Sequence, residues 1–220
     1  MSVADKSLYL RAIVEVLKTH WPKNRTVNVV CHGHSVPSGY FATPMVDSFN
    51  AYPHLLHVGL KNRYPFAVLN SIVTAIGGES SAAGSKRFEK EVLCHRPDVL
   101  TIDYGLNDRG LGLEKAYGYW SDMIKMGLEA EVKIILLTPT IDMTQAKEYH
   151  GEDKSELLEH AKQIIDLANE FEIGLVDSFA ACHDAVSKSD ISDVLSWSNH
   201  PNRTGHDLVV KELMHWFPVK

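Results

Sequence analysis

Cysteine is scarce: Cys31, Cys94 and Cys182 are the only three, an odd number, far apart and without a CxxC pair. That excludes a disulfide framework and a thiolate zinc site, and it points to reduced thiols in a cytoplasmic protein. No apolar run approaches the roughly 18 residues of a membrane span. Asp5, Lys6, Arg11, Glu15 and Lys18 interrupt the N-terminal stretch, so neither a secretory signal nor an anchor is expected. Positive charge is in deficit, with 22 Lys+Arg against 28 Asp+Glu and a net charge of −6, which argues against nucleic acid or an anionic membrane as partner. Neither a Gly-x-Gly-x-x-Gly turn nor a Gly-x-x-x-x-Gly-Lys-Ser/Thr loop occurs, so nothing supports a nucleotide cofactor, and none is expected. Twelve histidines invite a metal, and His32, His34, His200 and Asp108 are the set to consider. Yet no His-x-x-x-His pair with a third ligand appears, and His54 and His57 fit a helix face with Leu55, Leu56 and Leu60, so no metal site is expected.

What is present is a regular alternation. Leu10, Ile13, Val14 and Leu17 recur at helical spacing, and the Trp21-Pro22 step ends that helix before the β-branched run Val27 to Cys31. Helical patterns over 48–63, 80–94, 113–130, 154–171 and 203–216 alternate with short apolar runs at 66–69, 98–102, 132–137 and 174–176. Five strands separated by helices predict a three-layer α/β/α fold with a five-stranded parallel sheet, flavodoxin-like in layout. The 220 residues fit a single domain over 1–220, without repeat or low-complexity tract. The aromatic end His215-Trp216-Phe217-Pro218 reads either as core packing or as a subunit contact, which leaves a homo-oligomer open.

In such a sheet chemistry belongs in the loops beyond the carboxyl ends of the strands. Those loops carry His32-Gly33-His34-Ser35, Gly77-Gly78-Glu79-Ser80, Gly105-Leu106-Asn107-Asp108-Arg109 and, near the C-terminus, Asn199-His200-Pro201-Asn202. A serine needs a base to become a nucleophile, and the oxyanion it generates needs preset donors. Ser35 is the candidate nucleophile and His200 the candidate base. The Ser35 N–H, the Gly78 N–H and the Asn107 amide are the candidate oxyanion donors, with Asp108 in a structural hydrogen-bonding role. His34 and Arg109 are expected to contact substrate. Gly33-His34-Ser35-Val36-Pro37 is not the Gly-x-Ser-x-Gly elbow of α/β-hydrolases, and it comes too early in the chain for that fold.

These blocks resemble the SGNH (or GDSL) hydrolases across residues 27 to 210. Gly33-His34-Ser35 stands where the family has Gly-Asp-Ser, the second block aligns through Gly78, Gly105-Leu106-Asn107-Asp108 matches Gly-x-Asn-Asp, and His200-Pro201-Asn202 with Gly205 matches the family's ending. The resemblance implies Ser35 as nucleophile, His200 as general base and acid, and an oxyanion hole from Ser35, Gly78 and Asn107. Two departures stand out. His34 replaces the aspartate of the first block, and Trp197 occupies the position, three before the histidine, where the family's acid usually stands. The imidazole Nδ1–H must then be held by another acceptor. The Trp197 carbonyl is the first candidate and Asp193 the second, and an esterase slower or more alkaline-shifted than one with a full triad is expected.

The resulting expectation is a serine esterase that cleaves short, acetyl esters, on carbohydrate in particular, through an acyl-enzyme on Ser35, acting on a small-molecule substrate without nucleic acid or membrane partner. Two alternatives come from other classes: a ligand-binding protein on the same fold with weak turnover, and a metal-dependent phosphoesterase.

Overall fold

A computed structural model describes residues 2–219. Five strands form one parallel sheet: β1 (Thr26–Gly33), β2 (Val68–Val73), β3 (Val99–Asp103), β4 (Lys133–Leu137) and β5 (Gly174–Val176). Their order is β2-β1-β3-β4-β5. That is the flavodoxin-like order, with its reversal point between β1 and β3, where the connections leave the sheet in opposite directions and open a crevice.

Side-chain alternation along each strand divides the core. Val27, Val29 and Cys31 of β1 and Ile135 and Leu137 of β4 face one helical layer. Val30 of β1 and Ile134 and Leu136 of β4 face the other. The first layer holds α1 (Arg11–Lys18), α3 (Tyr52–Arg63), α7 (Ser178–Ser187) and α8 (Arg203–Met214). The second is built from α4 (Ser81–Glu91), α5 (Leu113–Glu129) and α6 (Glu156–Glu170). A four-residue helix, α2 (Ser35–Ser38), follows β1 directly.

One local reading needs correction, and two further features go beyond the sequence expectations. The second strand starts at Val68, paired with Thr26, and not at Phe66; Phe66 lies outside the ladder, 60% exposed, with its ring against His20. Helices α2 and α7 are not among the expected elements: α2 spans only four residues, and in α7 the helical spacing of Phe179, Cys182 and Val186 is confined to ten. The aromatic end is core, since Trp216 and Phe217 are fully buried and Trp216 Nε1 donates to the Leu175 carbonyl at 3.2 Å. No helix among the described residues is long and apolar enough to cross a membrane.

Candidate active site

The crevice between the ends of β1 and β3 is shaped by backbone proximity. Gly33 is opposite Asp103 in the ladder, and a Cβ at Gly33 would overlap the Asp103 carbonyl oxygen, so only glycine lets the strands meet there. The chain then turns at His34 into α2, placing Ser35 as its first residue. Gly39, in the left-handed region at φ 88°, ends the helix. Residues 40–47 fold back as a short hairpin, with a Tyr40–Val46 bridge, Phe41 N–H donating to the Met45 carbonyl at 3.1 Å and Asp47 N–H to that of Gly39 at 2.7 Å.

His200 arrives from the far end of the chain on a tight loop. Leu195 bridges Pro201, Ser196 N–H donates to the His200 carbonyl at 2.9 Å, and Asn202 caps α8 by accepting from Gly205 N–H at 3.1 Å. The outcome is a buried pair: His200 Nε2 lies 2.9 Å from Ser35 Oγ, with Ser35 6% and His200 5% exposed. On the other side of the ring, Nδ1 is 2.8 Å from the main-chain carbonyl of Phe41. A carbonyl only accepts, so Nδ1 carries the proton and Nε2 presents its lone pair to the serine hydroxyl. Burial lowers the His200 pKa below the ordinary histidine value, and the bond to Phe41 opposes that shift.

Phe41 is thus the orienter, in place of the two residues expected from sequence. Trp197 sits at the tip of the 196–200 loop, 69% exposed. Asp193 is turned away into a capping box, its Oδ2 accepting from Asp190 N–H. Phe41 is itself held from beneath by His206, whose ring centroid is 5.3 Å from the phenyl ring and whose Nδ1 accepts from Tyr52 N–H at 3.2 Å. Burial drives His206 down to about 3, so it stays neutral as an acceptor. The expected alkaline shift is corrected as well: without a carboxylate the imidazolium is less stabilised, and that lowers a histidine pKa.

The other candidates surround this pair. Gly78 has φ 81°, and a Cβ built on it would meet nothing within 4 Å. Neighbouring Gly77 has no such room, since a Cβ there would strike the Tyr40 ring at 2.7 Å. Among the described residues, neither the Ser35 nor the Gly78 N–H is taken up by another group. Asn107 Nδ2 donates one hydrogen to the Glu79 carbonyl at 2.8 Å, which leaves its second N–H free of that bond. Asp108 is fully buried, with Oδ1 accepting from Ser81 N–H at 2.8 Å and Oδ2 from Trp120 Nε1 at 2.7 Å. Burial raises its pKa against those two donors.

The two residues expected to touch substrate have other partners. His34 is 1% exposed and points beneath α2, out of a ligand's reach. Arg109 cross-braces two loops, its Nη2 2.7 Å from Asp142 Oδ2 and its Nε donating to the Leu106 carbonyl at 3.2 Å. No cluster of three or more His, Cys, Asp or Glu able to hold a metal occurs among the described residues.

Behind the Gly77–Gly78 turn lies a polar network absent from the sequence reading. Arg87 Nη2 grips Glu79 Oε2 at 2.6 Å, and the Tyr104 hydroxyl donates to the same oxygen at 3.3 Å. Tyr104 also meets His32 Nε2 at 3.1 Å, and His32 Nδ1 meets Thr74 Oγ1 at 3.1 Å. Burial lowers His32 to about 3, with the Arg87 charge acting in the same direction, so that ring is neutral too. The eight-residue spacing from Glu79 to Arg87, from just before α4 to its second turn, was the signal for this clamp.

The fold agrees with the comparisons. A family model for GDSL-like lipases and acylhydrolases matches residues 31–208. The chain belongs to that family. Among solved structures, an acetylxylan esterase from Geobacillus stearothermophilus, as a catalytic mutant, superposes with a TM-score of 0.75 at 18% identity, covering 91% of this chain and 96% of the other. An enzyme from the metagenome of Lake Arreo, Spain, described as an alpha/beta hydrolase, gives 0.74 at 19% identity, covering 87% and 94%. A GDSL-like lipase homologue from Parabacteroides merdae gives 0.72 at 17%, covering 88% and 96%. At these identities the likeness is one of fold. No curated protein sequence matches the chain.

Proposed function

We propose that this GDSL-family member is a serine esterase that removes short acyl groups, acetyl first among them, from small-molecule esters including acetylated carbohydrate. The observation that carries the reading is the 2.9 Å contact between Ser35 Oγ and His200 Nε2, with Nδ1 anchored to a carbonyl on the far side. In that tautomer His200 takes the Ser35 proton as Oγ attacks the acyl carbon. The N–H groups of Ser35 and Gly78 and the free N–H of Asn107 stabilise the oxyanion. The tetrahedral adduct collapses, and His200 Nε2 returns its proton to the departing alcohol, leaving acyl-Ser35. Water then attacks, giving its proton to His200. Collapse releases the carboxylic acid, and the proton returns to Ser35 Oγ.

Preference for a small acyl group rests on the narrow approach. Ser35 is 6% exposed, and the Tyr40 ring, wedged against Gly77, lies 6.0 Å from the His200 ring. A carbohydrate ester is supported by the fold shared with a protein described as an acetylxylan esterase. The reading takes residues 1–220 as one hydrolase domain. It includes a cytoplasmic location, consistent with three free cysteines, of which Cys31 and Cys182 are buried.

Fluorophosphonate labelling with peptide mapping tests it. One adduct on Ser35, absent in Ser35→Ala and formed far more slowly in His200→Ala, is the expected result. No adduct between pH 6 and 9 overturns it in favour of a ligand-binding protein. For the substrate, acetyl esters are expected to turn over faster than decanoyl esters, and acetylated xylo-oligosaccharides to release acetate.

A further inference from the structure

Beneath the nucleophile lies a second imidazole that the reaction above does not use. His34 N–H donates to the Asp103 carbonyl at 3.2 Å, which fixes its backbone at the end of β1. Its Nδ1 accepts from Val36 N–H at 3.1 Å, capping α2, and lies 3.4 Å from Ser35 Oγ. Its Nε2 faces Asp103 Oδ1 at 3.3 Å, in a contact where both side chains are almost wholly buried. That approach does not have hydrogen-bond geometry, and neither atom has a hydrogen-bond partner among the described residues, so the two face each other through charge and proximity alone. Tyr52 approaches the same carboxylate from α3, its own pKa pushed up by burial and then by the Asp103 charge. The Tyr104 hydroxyl is committed to His32 and Glu79.

The donor at Nδ1 decides the tautomer. Because Val36 N–H points at it, Nδ1 is bare and the single proton of neutral His34 is on Nε2, the ring atom 3.3 Å from the Asp103 carboxylate. We propose that Asp103 is a positioning residue for the esterase reaction: it holds His34 in the Nε2–H form, so that Nδ1 caps the nucleophile helix and has no proton to offer Ser35. The serine hydroxyl then has one good acceptor, His200 Nε2 at 2.9 Å. In the opposite tautomer an Nδ1–H would confront the Val36 N–H, release the cap, and donate to Ser35 Oγ, engaging the lone pair needed for attack. The inference rests on the esterase reading and adds to it a histidine–carboxylate pair acting on the serine from below.

The test is a cycle of Asp103→Asn, His34→Asn and the double variant, assayed for acetyl-ester hydrolysis and fluorophosphonate labelling. Asparagine at 103 offers an amide that can donate to Nε2 and so admits the wrong tautomer. The expected result is a fall in kcat of at least tenfold with KM within twofold. Asparagine at 34 caps Val36 N–H through its own carbonyl and has no tautomer to hold. On that background Asp103→Asn is expected to be silent, the double variant matching His34→Asn. An equal loss on both backgrounds, or none on the parent, overturns the proposal. Should Asp103→Asn fail to fold, ¹⁵N NMR of the His34 ring in the unmodified protein reads the tautomer directly: a proton on Nε2 supports the inference and one on Nδ1 overturns it. Absence of labelling in the unmodified protein removes the esterase reading, while the ring nitrogens still report on the His34–Asp103 pair.

Discussion

The Nδ1–H of His200 donates to the main-chain carbonyl of Phe41 at 2.8 Å, joining two residues 159 positions apart. Trp197 and Asp193 therefore have no hold on the imidazole. Trp197→Ala and Asp193→Ala are expected to leave kcat within about twofold. Asp193→Ala loses one arm of a capping box, for a stability decrease of about 0.5–1 kcal/mol in urea titration. A hundredfold loss of kcat in either variant would return the orienting role to the 193–197 segment.

Activity should persist into mild acid. His200 must be neutral to accept a proton, and its pKa is lowered by burial. The acid limb of kcat/KM is therefore expected below the reference value of about 6.5. A limb above that value, measured over pH 4.5 to 9, would contradict the assignment of an unpaired buried base.

Oxyanion stabilisation gives the largest expected effect. Asn107→Ala should lower kcat by about 10²–10³-fold with little change in KM. Gly78→Ala meets no steric obstacle but must hold a Cβ at φ 81°, which costs roughly 1–2 kcal/mol and turns the N–H away. The Glu79 carbonyl aligns Asn107, so Arg87→Met, which strips the Glu79 carboxylate of its mostly buried partner, is expected to cost about 3 kcal/mol of stability and to lower kcat as well. Unchanged kcat in a folded Arg87→Met variant would separate the clamp from the reaction.

Acid should also destabilise the fold. His32 and His206 are each held near a pKa of about 3 by burial, well under their unfolded value. The unfolded chain thus binds more protons between about pH 6.5 and 3, and each of the two groups removes roughly 1.4 kcal/mol per pH unit as pH falls through that window. Asp108, with its raised pKa, acts in the opposite sense just above its unfolded value near 4, binding its proton first in the folded state. Thermal melts should show Tm falling from pH 7 to 5; a flat profile would mean that these imidazoles are not neutral and buried.

Much of this was legible in sequence because burial on both faces of a parallel sheet leaves unmistakable runs such as Ile134 to Leu137, and because glycines mark where backbones meet. Ser35 and His200 were identifiable from loop position and resemblance together. The rest was hidden for physical reasons. Phe41 acts through its carbonyl, a group every residue possesses. His34 is expected from its loop position to contact substrate, yet it is the cap of a helix too short for any periodicity. Asp103 did leave a trace, as a carboxylate closing the apolar run from Val99 to Ile102 opposite Gly33. The alkaline shift expected from the missing acid has the opposite sign, because a buried imidazolium without a carboxylate partner is the less stable form.

One consequence follows for how such chains diversify. A triad acid carried on a side chain can be erased by a single base change, and its codon is under constraint. In the mechanism proposed here the third member is main chain, supplied by the hairpin that directly follows the nucleophile helix. No side-chain replacement at position 41 deletes it outright, and on this reading position 197, whose side chain is 69% exposed, is free to vary. Inactivation by drift must instead act on the shape of residues 40–47, so insertions and deletions in that hairpin, more than point substitutions near His200, should separate working lineages from silent ones.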